Sequence, residues 1–316
     1  DQAEIDLGRP SRVDARVRPS DQAISELADL LLQAQHPVMI AGQEIGAHDA
    51  LHLAGELADL LGMAVYQESV PYRTAFDTTH PMYIGMLSRS QTQVRQVLQP
   101  HDVLFCLGAD LLRMSVYSPT DPLPNTIRVA HLSERSAELA KNHPAQWAAC
   151  AHVHETLKAL LPLLRQRQSA AQRTLATQRT QRWCELNWTQ QRLQALSAAQ
   201  ASSAARPMAA SVLCQAVAQQ VPAHAIVVEE ALTSSQPLPS LLHQGHAHAF
   251  FGLASGGLGF AIPGAAARGV SAAGIFYKHN EDTARKWVEG GDAVEHEDED
   301  VRSAAQERQK QVAALL

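Results

Sequence analysis

Apolar positions along the chain switch repeatedly between two spacings. From Ser20 the spacing is helical: Ile24, Leu27, Leu30, Leu31 and Ala34 fall on one face, with Ser20 as N-cap. An unbroken apolar run, Val38-Met39-Ile40-Ala41, follows and stops at Gly42, the pattern of a strand buried on both faces. The spacing over 47–61 predicts a second helix closed by Gly62 in a left-handed cap, and 63–66 predicts another strand. The alternation continues through a helix over 92–98, strands over 102–108 and 126–132, and a helix over 152–165. Strands alternating with helices at this spacing imply a parallel sheet covered on both faces. A Rossmann-like α/β domain is therefore expected at 18–165, after an Arg- and Pro-rich linker at 1–17.

Residues 166–206 lose the strand signal and are rich in Gln, Arg, Ala and Ser, which predicts a solvated helical connection. Trp183 and Trp188 within it are expected to pack it onto a neighbouring surface. A second α/β unit begins at 207, with a helix over 209–221, a strand over 225–230 and a short helix over 239–244. The pattern fails near Arg268. Residues 268–316 are charged and offer no further buried strand, so the second unit, 207–267, reads as incomplete and the tail as atypical.

Composition narrows the function classes. Hydrophobic residues make up 46% and charged residues 18% of 316 positions, which is globular and not disordered. A formal charge of −6, with scattered basic residues, argues against a nucleic-acid partner. No apolar run approaches the ~20 residues needed to cross a bilayer, and no signal peptide is evident. Cys106, Cys150, Cys184 and Cys214 are too far apart in sequence for a zinc motif or a compact disulfide framework, so buried free thiols and a cytoplasmic location are expected. The chain begins at Asp1 without methionine, which carries the expectation of an upstream portion.

The chemistry-bearing stretch is FFGLASGGLGFAIPGA, from Phe250 to Ala265. Its glycines permit close backbone approach to a ligand, although a plain glycine turn would look the same. It lacks the acidic residue of a dinucleotide fingerprint. The strand before it ends in Ala231-Leu232-Thr233-Ser234-Ser235, which sets hydroxyls and amides at a carboxyl strand end where phosphates bind; an ordinary N-cap cluster is the alternative. His152 and His154 (an i, i+2 pair on different faces), the His246/His248 pair and the acidic run Glu295 to Asp300 are weaker candidates, read respectively as non-chelating, solvated and a solvated tail.

With those segments in view, the chain resembles the thiamine-diphosphate-dependent enzymes, most of all the benzoylformate decarboxylase branch. The likeness runs over almost all of 10–266: SRVDARVRPSDQAI, PVMIAG, HPMYIGMLSRS, HDVLFCLGADLLRMSVY, IVVEEALTSS and the glycine run. It implies three α/β domains in the complete protein, of which this chain carries the central one and the first part of the diphosphate-binding one. It implies thiamine diphosphate and Mg2+ as cofactors, with Leu232 and Thr233 on the diphosphate, Gly256 accepting from the exocyclic amine, and Leu258 propping the cofactor in its bent form. It further implies a small 2-oxo-acid substrate, a homo-oligomer, and decarboxylase or carboligase chemistry supplied by the cofactor. The activating glutamate and the Asp-Gly metal motif of the family are not found: Gly291-Asp292-Ala293 lacks the flanking strand and asparagine. Ser115 stands where the branch has a catalytic histidine. The isolated chain is therefore expected to be inactive. No glycine-rich phosphate loop follows the first strand, as Gly42-Gln43-Glu44-Ile45-Gly46 is too sparse; a flavin or nucleotide is not expected there, nor NAD-linked chemistry. An acetolactate-synthase-like carboligase and a non-catalytic assembly module are the alternative readings.

Overall fold

A computed structural model describes residues 13–114, 118–202, 208–230 and 237–252, together with 204, 235, 259–261 and 265. Six parallel strands form the main sheet: β1 (Pro37–Ala41), β2 (Ala64–Gln67), β3 (Tyr83–Met86), β4 (Val103–Leu107), β5 (Arg128–Ser133) and β6 (Trp147–Cys150). Their spatial order is β3-β2-β1-β4-β5-β6. The chain order thus reverses between β1 and β4, the switch point at whose carboxyl edge open α/β sheets bind ligands. Every residue of β1 and β4 is buried, so both faces of the central strands are covered, which explains why these strands read as unbroken apolar runs.

Helices α1 (Asp21–Leu32), α2 (Gln43–Ala47), α3 (Leu51–Leu61), α4 (Gln91–Leu98) and α5 (Val153–Arg167) accompany the sheet. The Ser20 hydroxyl accepts from the Ala23 N–H at 3.2 Å, and Gly62 closes α3 at φ 57, ψ 42, both as the sequence predicts. A Cβ on Gly62 would also sit 2.3 Å from the Ala176 carbonyl oxygen, so the cap is a packing site as well. The helix expected over 47–61 starts only at Leu51; Ala47 instead ends the short helix α2, and the backbone turns at 48–50, where Asp49 has φ 52. Two strands carry too little apolar signal to be expected. β3 is half exposed at its carboxyl end and β6 is an edge strand with only Trp147 buried.

The 166–206 segment forms two helices, α6 (Ala170–Leu186) and α7 (Trp188–Ala201), broken at Asn187, whose side chain caps α7. Trp183 and Trp188 are both buried in the main core, as anticipated. The later elements are α8 (Ala210–Gln220), β7 (Val227–Glu229), α9 (Leu238–Leu241) and β8 (Phe250–Gly252), with a small core of Cys214, Ala218, Leu241, Leu242 and Phe250. All four cysteines are free; Cys106 and Cys214 are buried, but Cys150 and Cys184 are exposed, which corrects the expectation of four buried thiols. Among the described residues, no helix is long and apolar enough to cross a membrane.

Candidate functional site

β7 and β8 pair in parallel, with Val227 opposite Phe250 and Glu229 opposite Gly252. Both strands therefore end at the same edge. The hydroxyl-bearing segment leaves from one strand and the glycine run from its neighbour, although these two segments are unconnected in sequence. Leu232, Thr233, Gly256 and Leu258 lie outside the described residues, as do Ser115 and the tail over 268–316. The residues that flank them are described.

Glu230, directly after β7, accepts hydrogen bonds from the N–H groups of Gly259 and Ala261. It stitches the start of one segment to the end of the other, and those amides hold its carboxyl below the usual carboxylate range. The Ser235 hydroxyl donates to Oε1 of Glu229, the last residue of β7, at 2.5 Å. Paired carboxyl ends suit a phosphate-bearing ligand. The amides of Gly259 and Ala261 are engaged by Glu230, so diphosphate contacts would have to come from elsewhere in the two segments.

The loop after β2 joins this edge to that of the main sheet. Gly252 N–H donates to the Tyr72 carbonyl at 3.1 Å, and Arg73 bridges Phe251 in antiparallel register. The Arg73 guanidinium lies 5.0 Å from the Phe251 ring centroid, a cation–π contact. A Cβ on Gly252 would stand 2.2 Å from the Pro71 carbonyl oxygen, so only glycine permits this approach. Further along, Gln244 N–H donates to Thr78 Oγ1 at 3.0 Å.

Between this loop and the main sheet lies a cavity of about 320 Å³, lined by Ile40, Glu68, Tyr72, Leu87, Asp110 and Leu112 among others. It opens at the carboxyl ends of the strands around the switch point. Burial, then the charge of Asp110, push Glu68 up to about 8. At neutral pH it is a protonated carboxyl, able to donate a hydrogen bond. Asp110 remains paired: Arg135 forms an ion pair with it at 2.6 Å, and Arg113 reaches it at 3.5 Å. Arg135 also contacts Glu44 at 3.2 Å, while Ser133 donates to Glu44 at 2.7 Å. Leu112, on the cavity wall, has φ 50, a strained conformation for a bulky residue. A titratable group displaced by burial in a cleft is a mark of functional sites.

Sequence reasoning missed Glu68 and Asp110. The available signal was an acid within three residues of the end of a buried strand, Gln67-Glu68 and Gly108-Ala109-Asp110, at the edge where parallel sheets bind ligands.

Residues 24–160 match the family model described as thiamine pyrophosphate enzyme, central domain. A benzoylformate decarboxylase of Pseudomonas aeruginosa is 27% identical over 154 residues, which make up 49% of this chain and 29% of that protein. A thiamine diphosphate-dependent 4-hydroxybenzoylformate decarboxylase of Rhodococcus jostii superposes with TM-score 0.63 at 25% identity, covering 82% of this chain and 45% of the other. The benzoylformate decarboxylase of Polynucleobacter necessarius shares the fold, with TM-score 0.64, 20% identity, and coverage of 83% and 45% respectively. The chain thus spans less than half the length of these relatives.

Proposed function

We propose, since residues 24–160 match the family model of the thiamine pyrophosphate enzyme central domain, that the chain forms the central domain, 18–165, and the start of the diphosphate-binding domain, 207–267, of a thiamine-diphosphate- and Mg2+-dependent enzyme. In this reading 166–206 connects the two. The enzyme decarboxylates or joins small 2-oxo acids, in the manner of a benzoylformate decarboxylase, and works as a homo-oligomer. The observation that carries the reading is the parallel β7–β8 pair, whose last residues, Glu229 and Gly252, lie side by side at one edge. Leu232 and Thr233 are assigned to the diphosphate, Gly256 to the exocyclic amine and Leu258 to the prop beneath the cofactor. When bound, thiamine diphosphate supplies an electron sink for carbanion chemistry. The chain's own part is to tie the end of β7 to Gly259 and Ala261 through Glu230 and to seat Phe251 and Gly252 of β8 against Arg73 and Tyr72 of the central domain. Glu68 presents a neutral carboxyl in the adjoining cavity.

On this proposal the isolated chain supplies part of a site and does not turn over. Thiamine diphosphate and Mg2+ are titrated into the chain by calorimetry, and carbon dioxide release from benzoylformate is followed. Tight binding with turnover by these 316 residues alone would overturn the claim that the site is partial. The polypeptide expressed from the intact locus, given the same cofactors, is expected to release carbon dioxide from an aromatic 2-oxo acid; inactivity on a panel of 2-oxo acids would overturn the assignment itself.

A further inference from the structure

A second group of side chains gathers at the same edge of the main sheet, beyond β5 and β6. His48 follows α2, Glu134 follows β5, and His152 precedes α5. His48 Nε2 lies 3.0 Å from Glu134 Oε2. The His152 ring stacks on that of His48, with centroids 3.8 Å apart and planes inclined by 17°. One donor atom from each of the three lies within 4.8 Å of the other two. Nδ1 of His152 is buried and has no hydrogen-bond partner among the described residues.

Two imidazoles and one carboxylate are a borderline donor set, suited to zinc and its first-row neighbours and poorly suited to the all-oxygen preferences of magnesium or calcium. The metal-free arrangement has its own logic. His48 Nδ1 accepts from the Val153 N–H at 3.2 Å, so Nε2 carries the ring proton and donates it to Glu134. An ion on Nε2 must move that proton to Nδ1 and release Val153. Val153 is the first residue of α5, and its N–H is one that helices commonly leave to water. The stacked rings must also unstack for both lone pairs to meet one ion. His152 Nδ1 has no hydrogen bond to lose when the ring turns, and the residue is the N-cap, ahead of the helix. The costs are one long hydrogen bond and one ring stack, against three new metal–ligand bonds.

We propose that His48, Glu134 and His152 form a binding site for a divalent transition metal of the zinc class, with a fourth position left to water. The site clamps the ends of α2 and β5 to the start of α5. It is independent of the thiamine-diphosphate reading, because none of its ligands comes from the β7–β8 edge.

The test uses the full untagged chain, stripped with chelator and titrated with zinc chloride by calorimetry in the absence of thiamine diphosphate. Cobalt substitution is followed by visible absorption. One equivalent of zinc per chain is expected, together with a cobalt spectrum of low coordination number. His48→Ala and His152→Ala should each weaken binding by at least about 100-fold, beyond the 10–100-fold typical of losing an outer-shell partner. Glu134→Gln, at a side chain 39% exposed, should fold normally and also bind more weakly. His52→Ala/His154→Ala should bind as wild type. The proposal is overturned if the wild-type chain takes up no stoichiometric zinc, if uptake survives His48→Ala/His152→Ala, or if only His52→Ala/His154→Ala abolishes it.

Discussion

Thr74 and Phe250 hold one another through two hydrogen bonds: the Thr74 N–H donates to the Phe250 carbonyl at 3.2 Å, and the Phe250 N–H donates to Thr74 Oγ1 at 3.0 Å. Both residues are fully buried. The loop after β2 is thereby fastened to β8 just before the glycine run. Thr74→Val keeps the shape but removes the hydroxyl acceptor, leaving the Phe250 N–H buried without a partner. The expected loss is about 1–3 kcal/mol of stability, read as a lower urea midpoint with an unchanged slope. If the reading of 207–267 as a cofactor domain holds, affinity for thiamine diphosphate in the complete protein should also fall.

Gly62 combines two constraints. Its left-handed conformation disfavours any side chain, and the Ala176 carbonyl occupies the space a Cβ would need. Gly62→Ala must therefore strain the cap and displace α6. A destabilisation above the ~1 kcal/mol expected of the backbone term alone is expected in chemical denaturation. Ala176→Gly should recover little of it, because the obstruction at Gly62 is a backbone oxygen.

Legibility from sequence followed how each element is stabilised. β1 and β4 are buried along their whole length, so their composition is uniformly apolar and announces them. β6, with Trp147 alone buried, draws on backbone pairing to β5, which leaves no mark on composition. The same holds for the docking of 71–74 on β8, made largely by main-chain groups. The break at 48–50 falls inside a stretch whose apolar spacing is continuous enough to read as one helix. Of the candidate site, the two segments carrying Leu232, Thr233, Gly256 and Leu258 were visible as motifs, but their shared edge required the β7–β8 pairing. Glu68, Asp110 and the histidine cluster come from separate strand ends, and only the sheet order brings such positions together.

Arg135 bridges Glu44 and Asp110, two carboxylates buried except for 8% and 3% of their side-chain surface. Arg135→Met preserves much of the side-chain bulk but leaves Asp110 with only the longer Arg113 pair at 3.5 Å, and Glu44 with no cation, only the Ser133 hydroxyl at 2.7 Å and the Glu134 N–H at 3.0 Å. Breaking a fully buried pair costs about 3–5 kcal/mol; the guanidinium is 35% exposed, so solvent screening should reduce the loss to about 1–3 kcal/mol. Arg135→Met with Asp110→Asn should recover part of it, and a thermodynamic cycle over the two sites should show coupling. Additive losses would show that the ion pair contributes no net stability.

Glu68 and His101 make stability depend on pH in opposite senses. Burial and Asp110 raise Glu68 from its ordinary 4.5 to about 8, so between those values the folded chain holds a proton that the unfolded chain releases, and stability falls as pH rises. Burial lowers His101 from 6.5 to about 4; its Nδ1 donates to the His36 carbonyl at 3.0 Å. Between those values the unfolded chain takes a proton that the folded chain refuses, and stability rises with pH. The two slopes oppose each other from 4.5 to 6.5. From 6.5 to about 8 only the Glu68 contribution remains, with a maximum slope of about −1.4 kcal/mol per pH unit. Glu68→Gln should flatten this alkaline fall and steepen the rise on the acid side, where His101, together with His131 and His143, which burial also lowers, then acts unopposed. Urea titrations of wild type and variant across this range decide the matter: curves that run parallel at every pH would mean that Glu68 ionises as an ordinary carboxyl and lends no neutral donor to the cavity.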